Sequence, residues 1–212
     1  MTPQQIFTDA MRSVPLVAVL RGLSPAEAPE IGDALVDSGW RLLEVPLNSP
    51  EPLRSIAMLA AAFPQSLVGA GTVLTVSQVN AVHAAGGRLV VSPNFDAAVV
   101  RAAVALGLVC LPGVATPSEA FAALAAGAHG LKLFPAEMIP PAAVKAMRAV
   151  LPPQTLLLPV GGIDASNMRA YRAAGANGFG IGSSLFRPGM RAAQVREQAH
   201  HMLAAWTGSM RA

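Results

Sequence analysis

The feature that most constrains this chain is a rhythm. Eight short, β-rich apolar runs alternate with longer helical patterns of Ala, Leu and Val, one run about every 22–25 residues. The runs are LVAVL (16–20), RLLEV (41–45), LVGA (67–70), RLVVS (88–92), LVCL (108–111), GLKLF (130–134), TLLLPV (155–160) and GFGIG (178–182). Helices are predicted between them, near 25–38, 50–62, 75–85, 96–106, 117–126, 140–150, 165–173 and 189–206. The runs are apolar at successive positions, as parallel strands covered by helices must be. Ser24-Pro25, Ser49-Pro50, Thr75, Thr116-Pro117 and Asp164 suit helix starts. Gly39, Gly86, Gly107, Gly127 and Gly175 suit helix ends.

Eight βα units in 212 residues predict an α/β fold, a closed (β/α)8 TIM barrel with an extra N-terminal helix in residues 1–13. A doubly wound open sheet is the alternative. Its dinucleotide fingerprint would follow the first strand, where this chain reads LRGLSP. No linker or low-complexity segment interrupts the pattern, so one domain is expected over 1–212.

Composition narrows the class. Hydrophobic residues make up 53% and charged residues 13%, which suits a compact enzyme with much buried strand. The net charge is +3, but the arginines are scattered, which argues against nucleic acid as a partner. Cys110 is the single cysteine and sits in LVCL, where core packing is expected. The longest apolar stretch, near 97–115, is broken by Arg101, Gly107 and Pro112, so no membrane span is expected. The N-terminus lacks the pattern of a signal peptide. A cytoplasmic protein is the expectation.

In such an architecture function gathers at strand C-termini. The polar residues there are Arg21, Glu44, Asn48, Thr72, Asn94, Thr116, Lys132, Glu137, Ser183 and Ser184. Lys132 is one of two lysines and interrupts an apolar strand. It is either a lysine whose tip reaches solvent or a nucleophile whose pKa is lowered by desolvation. A free amine attacks a ketone to form a Schiff base. Glu44 also interrupts an apolar strand, either as an ion-pair partner of Lys132 or Arg21, or as the proton carrier that imine chemistry needs. VGGI (160–163) and GIGSS (180–184) are glycine turns that can present backbone N–H groups to a phosphate. His83, His129, His200 and His201 lack metal-ligand spacing, so no metal is expected.

Together VLRG, EVPLNSP, GAGTV, SPN, PGVATPSEA, KLFPAE, PVGGI and GIGSSL resemble the class I pyruvate aldolases of 2-keto-3-deoxy-6-phospho-sugar acids. The resemblance runs from about residue 14 to about 187. Gluconate-specific members tend to read EVTLRT where this chain reads EVPLNS, so Asn48 stands where they place an arginine. They tend to carry Thr where this chain has Val160. Both departures resemble the galactonate branch. The resemblance implies cleavage of 2-dehydro-3-deoxy-6-phospho-D-galactonate to pyruvate and D-glyceraldehyde 3-phosphate, a homotrimer and no cofactor. It implies Lys132 as Schiff-base lysine, Glu44 as proton donor and acceptor, and Arg21 and Thr72 at the pyruvyl end. Pro93 and Phe134 would wall the pocket, and Gly161, Gly162, Gly182 and Ser183 would bind phosphate. Val160 would sit near the hydroxyl that separates the two sugars. The gluconate-stereoisomer aldolase, a phosphosugar epimerase or isomerase, and a non-catalytic phosphate binder are the alternatives.

Overall fold

The computed structural model describes residues 1–208. Residues 209–212, the end of the expected domain, lie outside the described residues. Helix α1 (Pro3–Ser13) comes first, followed by β1 (Leu16–Val19), α2 (Ala28–Asp37), β2 (Leu42–Pro46), α3 (Pro52–Ala62) and β3 (Leu67–Gly71). Next are α4 (Val76–Ala84), β4 (Leu89–Val91), α5 (Ala97–Ala105), β5 (Val109–Leu111), β6 (Gly113–Val114) and α6 (Pro117–Ala125). Then come β7 (Leu131–Leu133), a 3₁₀ turn (Ala136–Met138), α7 (Pro141–Val150), β8 (Leu157–Pro159), α8 (Met168–Ala173), β9 (Phe179–Ile181) and α9 (Ala192–Gly208).

Every strand pairing is parallel, but the strands do not close into one eight-stranded barrel. They form a six-stranded sheet in the order β5-β4-β3-β2-β1-β9 and a three-stranded sheet in the order β6-β7-β8. This corrects the (β/α)8 expectation, and proline explains both seams. Pro112 separates β5 from β6 and has no N–H for a ladder, so the two pieces join different sheets. Pro159 ends β8, and the segment after it meets β9 through an isolated bridge, Val160 to Gly180, not a continued ladder.

The strand period of two sorts side chains into two cores. Leu16, Ala18, Leu43, Val45, Val68, Ala70, Val90, Cys110, Leu131 and Leu133 pack outward against the helices. The intervening residues Val17, Leu42, Leu67, Leu89, Val91, Val109, Leu111 and Leu158 form an inner cluster. Helix α1 closes its lower end with Ile6, Phe7 and Ala10. Thr2 starts that helix with a capping box shared with Gln5.

The cap expectations sort by geometry. Thr75 and Thr116 both form capping boxes, with Gln78 and Glu119. Ser24 opens a turn that precedes α2, taking Glu27 as its hydrogen-bond partner. Asp164 receives the N–H groups of Ser166 and Asn167 and so starts the turn before α8. Ser49 does not cap α3. Its hydroxyl accepts from the Gly22 N–H at 2.9 Å and ties the loop after β1 to the loop after β2. Gly39, Gly86, Gly107, Gly127 and Gly175 all take positive φ just past helix ends, a conformation costly for residues with a Cβ.

Candidate active site

Lys132 lies between Leu131 and Leu133, whose side chains point to the helices, so its own side chain enters the interior. Its strand neighbours in register are Gly113 and Leu158. Glu44 occupies the matching inward position on β2, two residues beyond the inner-core Leu42. Lys132 is 6% exposed and Glu44 is 2% exposed. Both expected reagents therefore face one space from two different sheets.

Burial shifts the two groups toward their neutral forms. Desolvation pushes the Lys132 pKa down, against the attraction of Glu44, while nearby Arg21 pushes it further down. Desolvation pushes the Glu44 pKa up, against the opposing pull of Lys132 and Arg21. Glu44 Oε2 is buried and has no hydrogen-bond partner among the described residues. An unpartnered buried carboxyl oxygen is costly in a purely structural role, and it suits a proton-transfer group that borders a cavity. Lys132 Nζ stands 4.7 Å from the centre of the Phe134 ring, which shields the amine on one side.

Two glycines hold this geometry. A Cβ on Gly71 would collide with the Glu44 carboxylate, so β3 makes room for the acid by having no side chain there. A Cβ on Gly113 would collide with the Pro93 carbonyl, so the end of β4 packs directly on the strand that pairs with Lys132. Thr72, next after Gly71, has φ of 57°. A β-branched residue in the left-handed region costs about 1–2 kcal/mol, and such outliers gather at functional sites.

A cavity of about 340 Å³ opens above the pair. Arg21, Lys132, Phe134, Val160, Gly161, Gly162, Gly182 and Ser183 line it, as do Glu137 and Arg187. Glu44 lines a small inner void that also touches Lys132 and Val160. Thr72 and Pro93 line neither space, but they adjoin Glu44 and the Lys132 strand through the glycine contacts just described. Gly161 and Gly162 have φ of 108° and 61°, so this turn needs glycine. Ser184 donates to the Ile163 carbonyl at 3.0 Å and fastens the loop after β9 to the loop after β8. The N–H groups of Gly162 and Ser183 have no protein acceptor among the described residues.

Two ionisable residues that line this cavity, Glu137 and Arg187, have no role in the family resemblance. Glu137 follows the cis Phe134–Pro135 peptide, and its carboxylate lies against the faces of Gly161 and Gly162. Its loop is pinned because Tyr171 donates to the Ala136 carbonyl at 2.8 Å. Arg187 lies beyond the last expected strand and turns back so that its Nε donates to the Ser183 carbonyl at 2.9 Å. Asn48 accepts from Arg21 at 2.9 Å, and Lys145 is exposed. Burial pushes the Cys110 thiol up to about 12, consistent with packing. His129 accepts from the Cys110 N–H, and no cluster of three His, Cys, Asp or Glu that could hold a metal ion occurs among the described residues.

The chain as a whole is similar to known proteins. Residues 7–199 match the family model described as KDPG and KHG aldolase. A probable 2-dehydro-3-deoxy-6-phosphogalactonate aldolase of Rhizobium meliloti (strain 1021) is 50% identical over 193 residues, 91% of each chain. The 2-dehydro-3-deoxy-6-phosphogalactonate aldolase of Escherichia coli (strain K12) is 41% identical over 91% of this chain and 95% of its own. A solved native KDPGal structure superposes with a TM-score of 0.92 at 40% identity, covering 94% of this chain and 98% of that one. On this extent of agreement, the chain belongs to the KDPG and KHG aldolase family.

Proposed function

We propose that this protein is a class I aldolase that cleaves 2-dehydro-3-deoxy-6-phospho-D-galactonate to pyruvate and D-glyceraldehyde 3-phosphate through a Schiff base on Lys132. The observation that carries the reading is the buried Lys132–Glu44 pair beneath a glycine-lined cavity. The Lys132 amine attacks the C2 carbonyl to give a carbinolamine. Glu44, whose protonated form burial favours, delivers a proton to the departing hydroxyl, and water leaves with formation of an iminium. The Glu44 carboxylate left by that step takes the C4 hydroxyl proton, and the C3–C4 bond breaks. Its electron pair moves into the iminium as an enamine, and the aldehyde departs. Glu44, now protonated again, delivers its proton to C3, and attack of water on the resulting iminium releases pyruvate and restores the amine.

Arg21 and Thr72 hold the pyruvyl carboxylate, for which a guanidinium fork is well suited. Pro93 and Phe134 wall the reacting carbons. Gly161, Gly162, Gly182 and Ser183 receive the phosphate through backbone N–H groups and the Ser183 hydroxyl. Val160 lies between the cavity and the inner void, where it presents no hydrogen bond to the substrate hydroxyls. The galactonate preference is supported by this apolar residue and by Asn48, whose carbonyl oxygen is engaged by Arg21. The assembly is a cytoplasmic homotrimer, a reading supported by the family resemblance and by apolar surface at Phe121 and Val150, 47% and 56% exposed. Sedimentation equilibrium checks the trimer.

The decisive experiment is reduction with borohydride in the presence of pyruvate, followed by peptide mass spectrometry. A pyruvyl adduct on Lys132 is expected. A folded protein that gives no adduct overturns the imine mechanism and favours an epimerase or isomerase. Rates on the galactonate and gluconate isomers then test the stereochemical preference.

A further inference from the structure

We infer that Arg187 is the phosphate-binding cation of this site and sets its preference for phosphorylated over unphosphorylated substrates. This rests on the aldolase reading above. The cavity is lined by three cationic side chains, Arg21, Lys132 and Arg187. Lys132 is the nucleophile. Arg21 lies in the field of Glu44 and Lys132 and is bonded to Asn48, so it belongs to the pyruvyl end. Arg187 is anchored at the opposite end, where its Nε bond to the Ser183 carbonyl holds the guanidinium beside the glycine turn. No carboxylate forms an ion pair with it among the described residues. Its Nη donors are left to meet a phosphate.

The electrostatics of that end call for a cation. Glu137 lies against Gly161 and Gly162, so a phosphate entering there meets a carboxylate. The neutral Asn48 brings no charge from the loop after β2. Backbone N–H groups supply partial charges only, whereas a guanidinium supplies a full charge and a fork matched to two phosphate oxygens. Arg187 also borders a larger open groove with Ser183 and Ser184, which gives the phosphate an approach from solvent. With no negative charge to hold, an unphosphorylated substrate gains little from Arg187.

The test is the ratio of kcat/KM for the phosphorylated keto acid to that for its unphosphorylated analogue, each pair measured on one preparation. This ratio is insensitive to the fraction of protein folded. R187Q is expected to lower it about ten-fold or more, equivalent to about 1.4 kcal/mol. R187K, which keeps a charge but loses the fork, is expected to lower it less. E137Q removes the opposing anion and is expected to raise it. An unchanged ratio in R187Q, with the wild-type protein still trapped by pyruvate and borohydride, overturns the role of Arg187 and leaves the aldolase reading standing. Failure of the wild-type protein to trap pyruvate overturns that reading and this inference with it.

Discussion

The two ends of the interior are built from the same strands and spend burial in opposite ways. At the lower end, Val17, Leu42, Leu67, Leu89 and Val109 meet Ile6, Phe7 and Ala10 of α1 in an apolar cluster. At the upper end, two residues further along β2, the inward position is Glu44 with an unpartnered oxygen, and β7 places Lys132 beside it. The lower end gains stability from every side chain it buries. The upper end accepts a desolvated acid and a desolvated amine, each costly to folding. Function sits where the interior is least stable by itself, and the closed apolar end supports it.

The strongest way to break this contrast is Lys132→Ala. Turnover is expected to fall by about 10⁴-fold or more, as when a nucleophile is removed, while thermal stability holds or rises. A destabilised variant would show that Lys132 is structural. Next in size is Glu44→Gln, which should cost about 10²–10⁴-fold in rate as a lost acid–base group. Its stability effect has a defined sign. The folded-state pKa of Glu44 lies above 4.5, so its ionised form penalises the fold. Glu44→Gln should therefore stabilise the protein above that folded-state pKa. The gain should shrink as pH falls toward 4.5, because the wild-type carboxyl then becomes neutral too. Denaturant midpoints measured across this window decide the matter, and a pH-independent gain would point to packing.

At the lower end, Phe7→Ala should cost about 3–5 kcal/mol of stability. Activity per folded molecule should stay near wild type at temperatures where the variant remains folded. A large drop in kcat would show that the two ends are coupled. The smallest effect is expected from Gly71→Ala, which sharpens the comparison. The new methyl meets the Glu44 carboxylate, an overpacking worth about 1–3 kcal/mol. Rate should fall more than pyruvate trapping does, since the acid is displaced while the amine stays. Parallel losses in both would place the disturbance at Lys132 instead.

Much of this site could be read from the chain. Lys132 and Glu44 announced themselves because an ionisable residue inside an apolar strand run is rare without a partner or a reaction. Gly161 and Gly162 were legible as a turn after a strand. Glu137 appeared only as one of several polar strand-end residues, since nothing local says that its carboxylate folds over glycines one strand away. Arg187 carried no signal, for it lies past the last apolar run, and nothing local says that it turns back to bond Ser183. Ser49 looked like a cap beside Pro50, but the loop after β1 claims its hydroxyl.

Local chemistry along the chain sets most of the order and type of the elements, the glycines that end the helices and the two ionisable strand residues. These follow from hydrophobic period, backbone sterics and desolvation, which act over a few residues. Packing between distant segments divides the strands into sheets of six and three, and not one closed eight-stranded ring. It alone decided that Glu44 faces Lys132 over Gly71, and that Arg187 returns to the glycine turn. Those outcomes depend on which chain segments lie side by side and on the N–H groups that Pro112 and Pro159 lack. A strand pattern does not encode distances between residues far apart in the chain.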